Sequence, residues 1–97
     1  MRHNITFAPE ALDDLRRLRK ADAVIVIDAI ELHLRHAPEF ISRSRIKRLR
    51  ELTSPQYRLR IDEWRVFYDV VEGEVRIRAV VRKPDANDWL AQFGEPS

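Results

Sequence analysis

The chain has 97 residues, of which 44% are hydrophobic and 35% are charged, and it contains no cysteine. This length suits one domain with a single core, and the lack of cysteine excludes disulfide bonds, thiolate metal sites and cysteine nucleophiles. The first residues contain no long apolar run, so we expect neither a signal peptide nor a membrane span. The sequence therefore predicts one globular, cytoplasmic domain over residues 1–97.

Positive charge is concentrated in one segment, although the net charge is only +2. Residues 42–60 carry seven basic groups and one acidic group, and six of the seven are arginines. The planar guanidinium group suits bidentate contacts with phosphate better than the lysine ammonium does. This segment therefore favours binding to a polyanion.

The N-terminal third predicts a short strand and then a helix. Residues 2–7 have the spacing of a strand with Ile5 and Phe7 on one side. Pro9 fits the first turn of a helix, where a backbone N–H is not needed. The predicted buried stripe of this helix consists of Leu12, Leu15 and Leu18.

A second helix is predicted from Asp22, which would cap it, to about residue 36, with Pro38 ending it. Its predicted apolar face consists of Ala23, Ile27, Ile30 and Leu34. A loop rich in serine and arginine follows it. A further strand is then predicted over residues 48–52, with Leu49 toward the core and Arg48 and Arg50 away from it.

The segment from Tyr57 to Lys83 alternates between apolar and charged residues, which predicts three antiparallel strands. Two-residue turns at Asp62–Glu63 and Glu72–Gly73, the second of type I′, give the sheet one apolar face. The predicted pairs on this face are Tyr57 with Tyr68, Leu59 with Val66, Ile61 with Trp64, Val70 with Val75, Tyr68 with Ile77, Val66 with Ala79 and Trp64 with Val81.

The opposite face of these strands, called here the arginine face, carries Arg58, Arg60 and Arg65. These three like charges on adjacent strands repel one another unless an anion binds among them. The remaining residues predicted on this face are Phe67, Asp69, Val71, Arg76, Arg78, Val80 and Arg82. Asp69 would lie opposite Arg76, a favourable cross-strand pair. After Pro84, residues 85–93 predict a short helix in which Trp89 either packs or stacks on a base.

The order of these elements, together with FAPEALDDL, IKRLREL, YRLRIDEWRVFYDV and VRIRAVVRK, resembles the RelE/ParE superfamily of bacterial toxins from type II toxin–antitoxin modules. The resemblance implies an α+β fold of two N-terminal helices on one face of a mainly antiparallel sheet of four or five strands, with a short C-terminal helix. In this superfamily the other, concave face of the sheet binds the target. The arginines would then face a nucleic acid.

The resemblance also implies roles for individual residues. The RelE branch cleaves messenger RNA on the ribosome, with the 2′-hydroxyl as nucleophile on the adjacent phosphodiester. The basic residues of the first two central strands correspond to Arg58, Arg60 and Arg65, and the basic residue after the last strand corresponds to Arg82 or Lys83. Contacts with RNA are expected from Arg48, Arg50, Arg78, Lys83 and Trp89. The expected partners are an antitoxin protein, the ribosome and mRNA, with no metal or other cofactor.

One departure leaves alternatives open. Many active members have a tyrosine or histidine near the C-terminus, where this chain has Trp89 and Leu90, and neither side chain transfers protons. Arginine is a poor general base, because its pKa is about 12.5 or higher. A ParE-like protein that binds DNA gyrase, or a toxin homologue that has lost activity, therefore remains an alternative interpretation.

Overall fold

The computed structural model describes residues 2–97, which form a five-stranded sheet, a separate two-stranded sheet and three α-helices. The sheet order is β1-β6-β5-β4-β2, in which β1 is parallel to β6 and the other neighbours are antiparallel. The elements are β1 (Asn4–Phe7), α1 (Pro9–Arg17), α2 (Lys20–Leu34), β2 (Ile46–Arg48), β3 (Leu52–Ser54), β4 (Tyr57–Ile61), β5 (Trp64–Val71), β6 (Glu74–Arg82), α3 (Ala86–Phe93) and β7 (Glu95–Pro96). The predicted α+β fold is confirmed.

The core lies between the apolar face of the sheet and the helices α1 and α2. From α1 it includes Ala11, which is fully buried, and the predicted Leu15 and Leu18 pack against it, whereas Leu12, which was also predicted to be buried, is 39% exposed. From α2 it includes Val26 in place of the predicted Ile27, which is also largely exposed. The sequence of α2 is apolar around most of its circumference, so helical spacing alone does not identify the buried face.

The pairing of β4 with β5 follows the predicted register at every residue, including Arg60 opposite Arg65. The turns fix this register, and Glu72 and Gly73 both have the positive φ that a type I′ turn requires. The pairing of β5 with β6 also begins as predicted, through Tyr68 opposite Ile77. It then shifts by one residue.

This shift is a β-bulge at Arg78, and it makes the prediction wrong for the last part of β6. Val66 lies opposite Val80 instead of Ala79, and Trp64 lies opposite Arg82 instead of Val81. A bulge adds one residue to one strand, so every later side chain of that strand changes face. Val80 therefore joins the core, and Arg82 leaves the arginine face.

The strand predicted over residues 48–52 is also placed differently. The strand that pairs with β4 is Ile46–Arg48, and Ile46 is its core residue. Because Lys47 pairs with Arg58, it lies on the arginine face, whereas Arg48 pairs with Tyr57 on the helix side. Residues 50 and 51 form a turn, and Leu49 lies in no strand.

The helix α3 packs on the arginine face. The ring of Trp89 stacks on Phe67 with 5.0 Å between centroids and 8° between planes, and Phe93 packs against the same indole. After α3 the chain pairs β7 with β3. Among the residues that the structure describes, no helix is long and apolar enough to cross a membrane.

Candidate nucleic-acid interface

A cavity of about 290 Å³ opens on the arginine face, between the sheet and the start of α3. Four cationic side chains line it, and Phe67, Asn87 and Leu90 contribute to its walls. Among the described residues, no aspartate, glutamate or histidine lines it. The cations are Lys47, Arg58, Arg65 and Lys83. The cavity is therefore strongly electropositive, which suits an anionic ligand.

Arg58 is the cation whose charge is least compensated. Its Nε is buried and has no hydrogen-bond partner within residues 2–97. Burial lowers the pKa of its guanidinium, and the positive charges of Arg65 and Arg60 lower it further. A buried donor without an acceptor is costly in free energy, so the fold keeps Arg58 in a state that an anion would stabilise.

Arg65 combines a structural contact with a place in the cavity. Arg65 is only 6% exposed. Its Nη1 donates to the carbonyl oxygens of Asp62 at 2.8 Å and Trp64 at 2.9 Å. These bonds hold the turn between β4 and β5. Burial lowers the pKa of Arg65, and Arg60 contributes in the same direction.

The structure distinguishes the two residues that matched the family's basic residue after the last strand. Lys83 lines the cavity, because the bulge places it on the arginine face. Arg82 lies on the helix side, where its guanidinium sits 5.7 Å from the centre of the Trp64 ring. Arg60 pairs with Arg65 and is exposed, although it does not line the cavity.

The residues predicted to contact RNA are not all brought to this cavity. Arg48 lies over the Tyr57 ring and donates to the carbonyl oxygen of Gln56 at 2.8 Å, on the helix side. Arg50 lines an adjoining groove between the turn at residues 50 and 51 and α3, which shares Lys47 and Leu90 with the cavity. Trp89 uses one face to stack on Phe67, so it serves as a packing residue.

Arg78 is held in a polar cluster with two carboxylates. Its Nη1 lies 3.5 Å from Oδ2 of Asp69 and 3.4 Å from Oε2 of Glu95, and it also contacts Oγ of Ser54. Asp69 further accepts a hydrogen bond of 2.5 Å from Ser54 and one of 2.7 Å from the backbone N–H of Gln56. The ionic partner of Asp69 is therefore Arg78 from the bulge. Arg76, which lies opposite Asp69, pairs with Glu74 instead.

Two polar residues of the cavity, Lys47 and Asn87, were not identified from the sequence as parts of a site. Lys47 follows the core residue Ile46, so alternation within IKR contained its signal. The prediction missed it because the strand was placed two residues too late. Asn87 comes from the first turn of α3, and no sequence pattern connects that helix to β4.

The lining residues define the chemistry that the cavity supports. Guanidinium and ammonium groups bind phosphate and stabilise the charge that develops during phosphoryl transfer. None of the lining side chains named above has an ordinary pKa near neutrality. The described residues also include no group of three or more potential metal ligands. The cavity is thus built for electrostatic binding and stabilisation of an anion.

Three solved structures share the fold. A chain of the toxin–antitoxin complex RelBE2 from Mycobacterium tuberculosis superposes with a TM-score of 0.71 at 20% identity, covering 84% of this chain and 99% of its own. A chain of the RelE–RelB complex from Pyrococcus horikoshii gives 0.69 at 21%, covering 86% and 97%. The YoeB dimer from Staphylococcus aureus gives 0.54 at 26%, covering 81% and 94%.

No curated protein matches the sequence. A family model does match, and it is described as the ParE toxin of the type II toxin–antitoxin system parDE. The match extends over residues 5–83, from β1 to the last lysine of the cavity. Because most of the sequence fits this model, the chain belongs to the ParE toxin family, within the RelE/ParE superfamily of type II toxins.

Proposed function

We propose that this toxin inhibits translation as a ribosome-dependent mRNA endonuclease, and that it acts in the cytoplasm. The observation that carries the proposal is the cavity of four cations without a carboxylate, in which Nε of Arg58 is buried and unpaired. A phosphodiester placed there would satisfy Arg58 and reduce the mutual repulsion of the arginines.

The proposed mechanism assigns electrostatic roles to the lining residues. The 2′-hydroxyl of one nucleotide attacks the adjacent phosphorus, and the bond from that phosphorus to the 5′-oxygen breaks. Arg58 and Lys83 hold the phosphate and stabilise the extra negative charge of the transition state. Arg65, which is held by the carbonyl oxygens of the turn, keeps the electrostatic potential in the cavity positive. In this mechanism water or ribosomal groups transfer the protons, because no lining side chain does so near neutral pH.

Arg60 and Arg50 would extend the interface beyond the cavity. Both are exposed, and Arg50 lines the groove that continues past Lys47 toward Leu90. Exposed cations of this kind contact successive phosphates and make binding depend on salt. Arg82, Arg48 and Arg78 are assigned no RNA contact here, since each already engages an aromatic ring or a carboxylate.

A second candidate function, inhibition of DNA gyrase by binding, is favoured by a different observation. The cavity offers no side chain that transfers protons at neutral pH, which an enzyme working without help requires. The family model that matches is also the one named after ParE. In this alternative the same cations would bind an acidic surface of the gyrase or its DNA.

We further propose that an antitoxin encoded beside this chain neutralises it. The structures similar to this chain include complexes of RelE toxins with RelB antitoxins. A toxin that stops growth must be held inactive in the cell that makes it. Permanent complexes of this kind bury on the order of 2,000 Å² or more.

The experiment that tests the proposed function compares two reactions with the purified toxin. In the first, the toxin is added to ribosomes that carry a defined mRNA, and cleavage is mapped by primer extension. In the second, it is added to gyrase with relaxed plasmid, and supercoiling is measured. We expect cuts in the mRNA only when ribosomes are present, and no effect on supercoiling.

The opposite pattern, with intact mRNA and blocked supercoiling, would replace the endonuclease with the gyrase inhibitor. If neither reaction responds while the protein is folded and binds its antitoxin, the chain is an inactive homologue. Ser44→Ala is a suitable neutral control, because this exposed loop residue lies outside the cavity.

A further inference from the structure

A groove of about 520 Å³ adjoins the basic cavity and differs from it in chemistry. The groove and the cavity share Lys47, Leu49 and Leu90, so a ligand that occupies one reaches directly into the other. Aliphatic side chains form most of the groove walls, and they come from residues 49–52 and from α3. They are Leu49, Leu52, Leu90 and Ala91. An apolar groove next to a phosphate-binding cavity suits the flat, uncharged base of a nucleotide.

Backbone contacts fix the two walls of this groove relative to each other. The strand β3 pairs with β7, and the backbone N–H of Ser97 donates to the carbonyl oxygen of Glu51 at 3.2 Å. Gly94 follows α3, and a Cβ atom at this position would lie 3.1 Å from the side chain of Leu52. The absence of a side chain at Gly94 therefore lets the end of α3 lie close to β3. The groove is thus formed before a ligand binds, which lowers the entropic cost of binding.

Glu51 is the only acidic side chain among the described residues that line the groove. It is exposed, and its carboxylate forms no ion pair or hydrogen bond within residues 2–97, whereas Glu95 nearby pairs with Arg78. A carboxylate repels phosphate, so the groove is not a second phosphate site. Because an ionised carboxylate only accepts hydrogen bonds, Glu51 suits a ligand that presents N–H donors.

Of the four RNA bases, guanine matches a carboxylate best. The Watson–Crick edge of guanine presents two adjacent donors, N1–H and the N2 amino group, so each carboxylate oxygen accepts one hydrogen bond. Adenine and cytosine present one amino donor beside a ring nitrogen that only accepts, and uracil presents one N–H between two carbonyl oxygens. Two acceptors that face each other repel, so Glu51 would discriminate against these three bases.

We propose that the groove binds the base next to the cleaved bond, and that Glu51 selects guanine by accepting hydrogen bonds from N1–H and the N2 amino group. This inference rests on the proposed endonuclease function. The phosphate that reacts lies in the cavity, the base of the neighbouring nucleotide enters between Leu52 and Leu90, and Arg50 contacts the next phosphate. Glu51 is thus a specificity-determining residue, whereas the cations bind the backbone of any sequence.

The test replaces Glu51 with glutamine, which keeps the shape of the side chain and offers one donor beside one acceptor. This pair matches the amino group and the ring nitrogen of adenine or cytosine. Primer extension on ribosomes measures cleavage of mRNAs that differ only at the nucleotides flanking the cut. We expect the parent toxin to favour guanine about tenfold, the scale of one bidentate base contact, and Glu51→Gln to favour adenine or cytosine. A purely structural role of Glu51 would lower all cuts equally and leave the preference unchanged.

Glu72→Gln is the matched control, because Glu72 is also exposed and lies in the turn between β5 and β6, outside the groove and the cavity. It should keep the guanine preference of the parent toxin. Equal cleavage next to all four bases by the parent toxin, or an unchanged preference in Glu51→Gln, would overturn the assignment. Weaker antitoxin binding by Glu51→Gln with an unchanged base preference would overturn it as well, because the groove would then bind a protein segment.

Binding of short RNAs separates this inference from the proposed function. Fluorescence anisotropy with uridine hexamers that carry one central guanosine, adenosine or cytidine measures the base preference of the purified toxin without ribosomes. A preference for the guanosine hexamer that Glu51→Gln abolishes would support the guanine site, even if the toxin cleaves no mRNA and the endonuclease is refuted. Cleavage of mRNA without any base preference would refute the guanine site and keep the endonuclease. Absence of both binding and cleavage would refute both.

Discussion

The two ends of the arginine face use the same kind of residue in opposite ways. At one end, Arg78 contacts Asp69 and Glu95 and thereby connects β6 to the C-terminal strand. At the other end, Arg58 lies among further cations, and its Nε has no partner in the described chain. A basic residue on this face therefore stabilises the fold when a carboxylate is adjacent and is available for an external anion when none is.

This difference also explains why α3 sits where it does. The stacked rings of Phe67 and Trp89 lie between the two ends of the arginine face, and they hold α3 there by apolar contact without an ion pair. Arg78 and Glu95 fasten the chain just after the helix, while Asn87 and Leu90 near its beginning border the cavity. The contacts of Arg78 with Asp69 and Glu95 therefore hold α3 where its residues form one wall of the cavity around Arg58.

The strongest way to break this comparison is Arg58→Met, which keeps an apolar stem and removes the unpaired charge. We expect growth inhibition to fall about 100-fold or more, the scale known for removal of one preorganised donor. The thermal midpoint should stay the same or rise, because the apolar side chain removes a buried donor without an acceptor and the repulsion from neighbouring cations. Growth curves under graded induction and a thermal melt measure both effects.

A fully toxic Arg58→Met variant would show that the end of the arginine face around Arg58 is not the active surface. Loss of toxicity together with a large drop in the thermal midpoint would instead make Arg58 a structural residue, like Arg78.

The second variant, Asp69→Ala, tests the end of the arginine face where Arg78 contacts carboxylates. Asp69→Ala removes the acceptor of the Gln56 N–H and the Ser54 hydroxyl and leaves Arg78 with one carboxylate fewer. We expect the free energy of unfolding to fall by about 1–3 kcal/mol, the cost of leaving a buried polar group unsatisfied. Urea denaturation measures this loss. Toxicity per folded molecule should change little, and a loss as large as that of Arg58→Met would mean that the two ends act together.

The smallest effect is expected from Arg76→Ala. Arg76 lies on the same face with a side chain that is 53% exposed, and it contacts Glu74 at 3.3 Å. An exposed ion pair contributes little, so unfolding should shift by less than about 0.5 kcal/mol. Growth inhibition should match that of the parent chain. A marked loss of toxicity would extend the active surface beyond the cavity, to a cation that already has a carboxylate partner.

Much of the central sheet was predictable, because alternation and turn chemistry constrain the same residues. The two turns and the whole β4–β5 register followed from them, and with this register the positions of Arg58, Arg60 and Arg65. The bulge was not predictable. The run from Ala79 to Val81 is apolar throughout and fits either face, so no residue opposes the shift in register.

One error in the candidate site has the same origin. Alternation without the bulge placed Arg82 on the arginine face, whereas the structure places Lys83 there. Lys47 was missed because β2 was placed two residues too late, and Asn87 because α3 reaches the cavity only through tertiary packing. On the buried face of α2, Ile30 and Leu34 were predicted correctly, but Ile27 was assigned in place of Val26, because apolar residues on both sides of a helix leave its rotation undetermined.

Because of the bulge at Arg78, the residue that lines the cavity after β6 depends on how many residues separate it from Ile77. Whether Lys83 or Arg82 points to the cavity is decided by an odd or even number of residues between Ile77 and the end of β6. Closing the bulge with every residue retained would exchange these two side chains between faces, whereas deletion of one residue at the bulge would restore regular alternation and leave both on their present faces. In this toxin one residue gained in β6 after the bulge would therefore act as a substitution within the site, whereas one residue lost at the bulge would not.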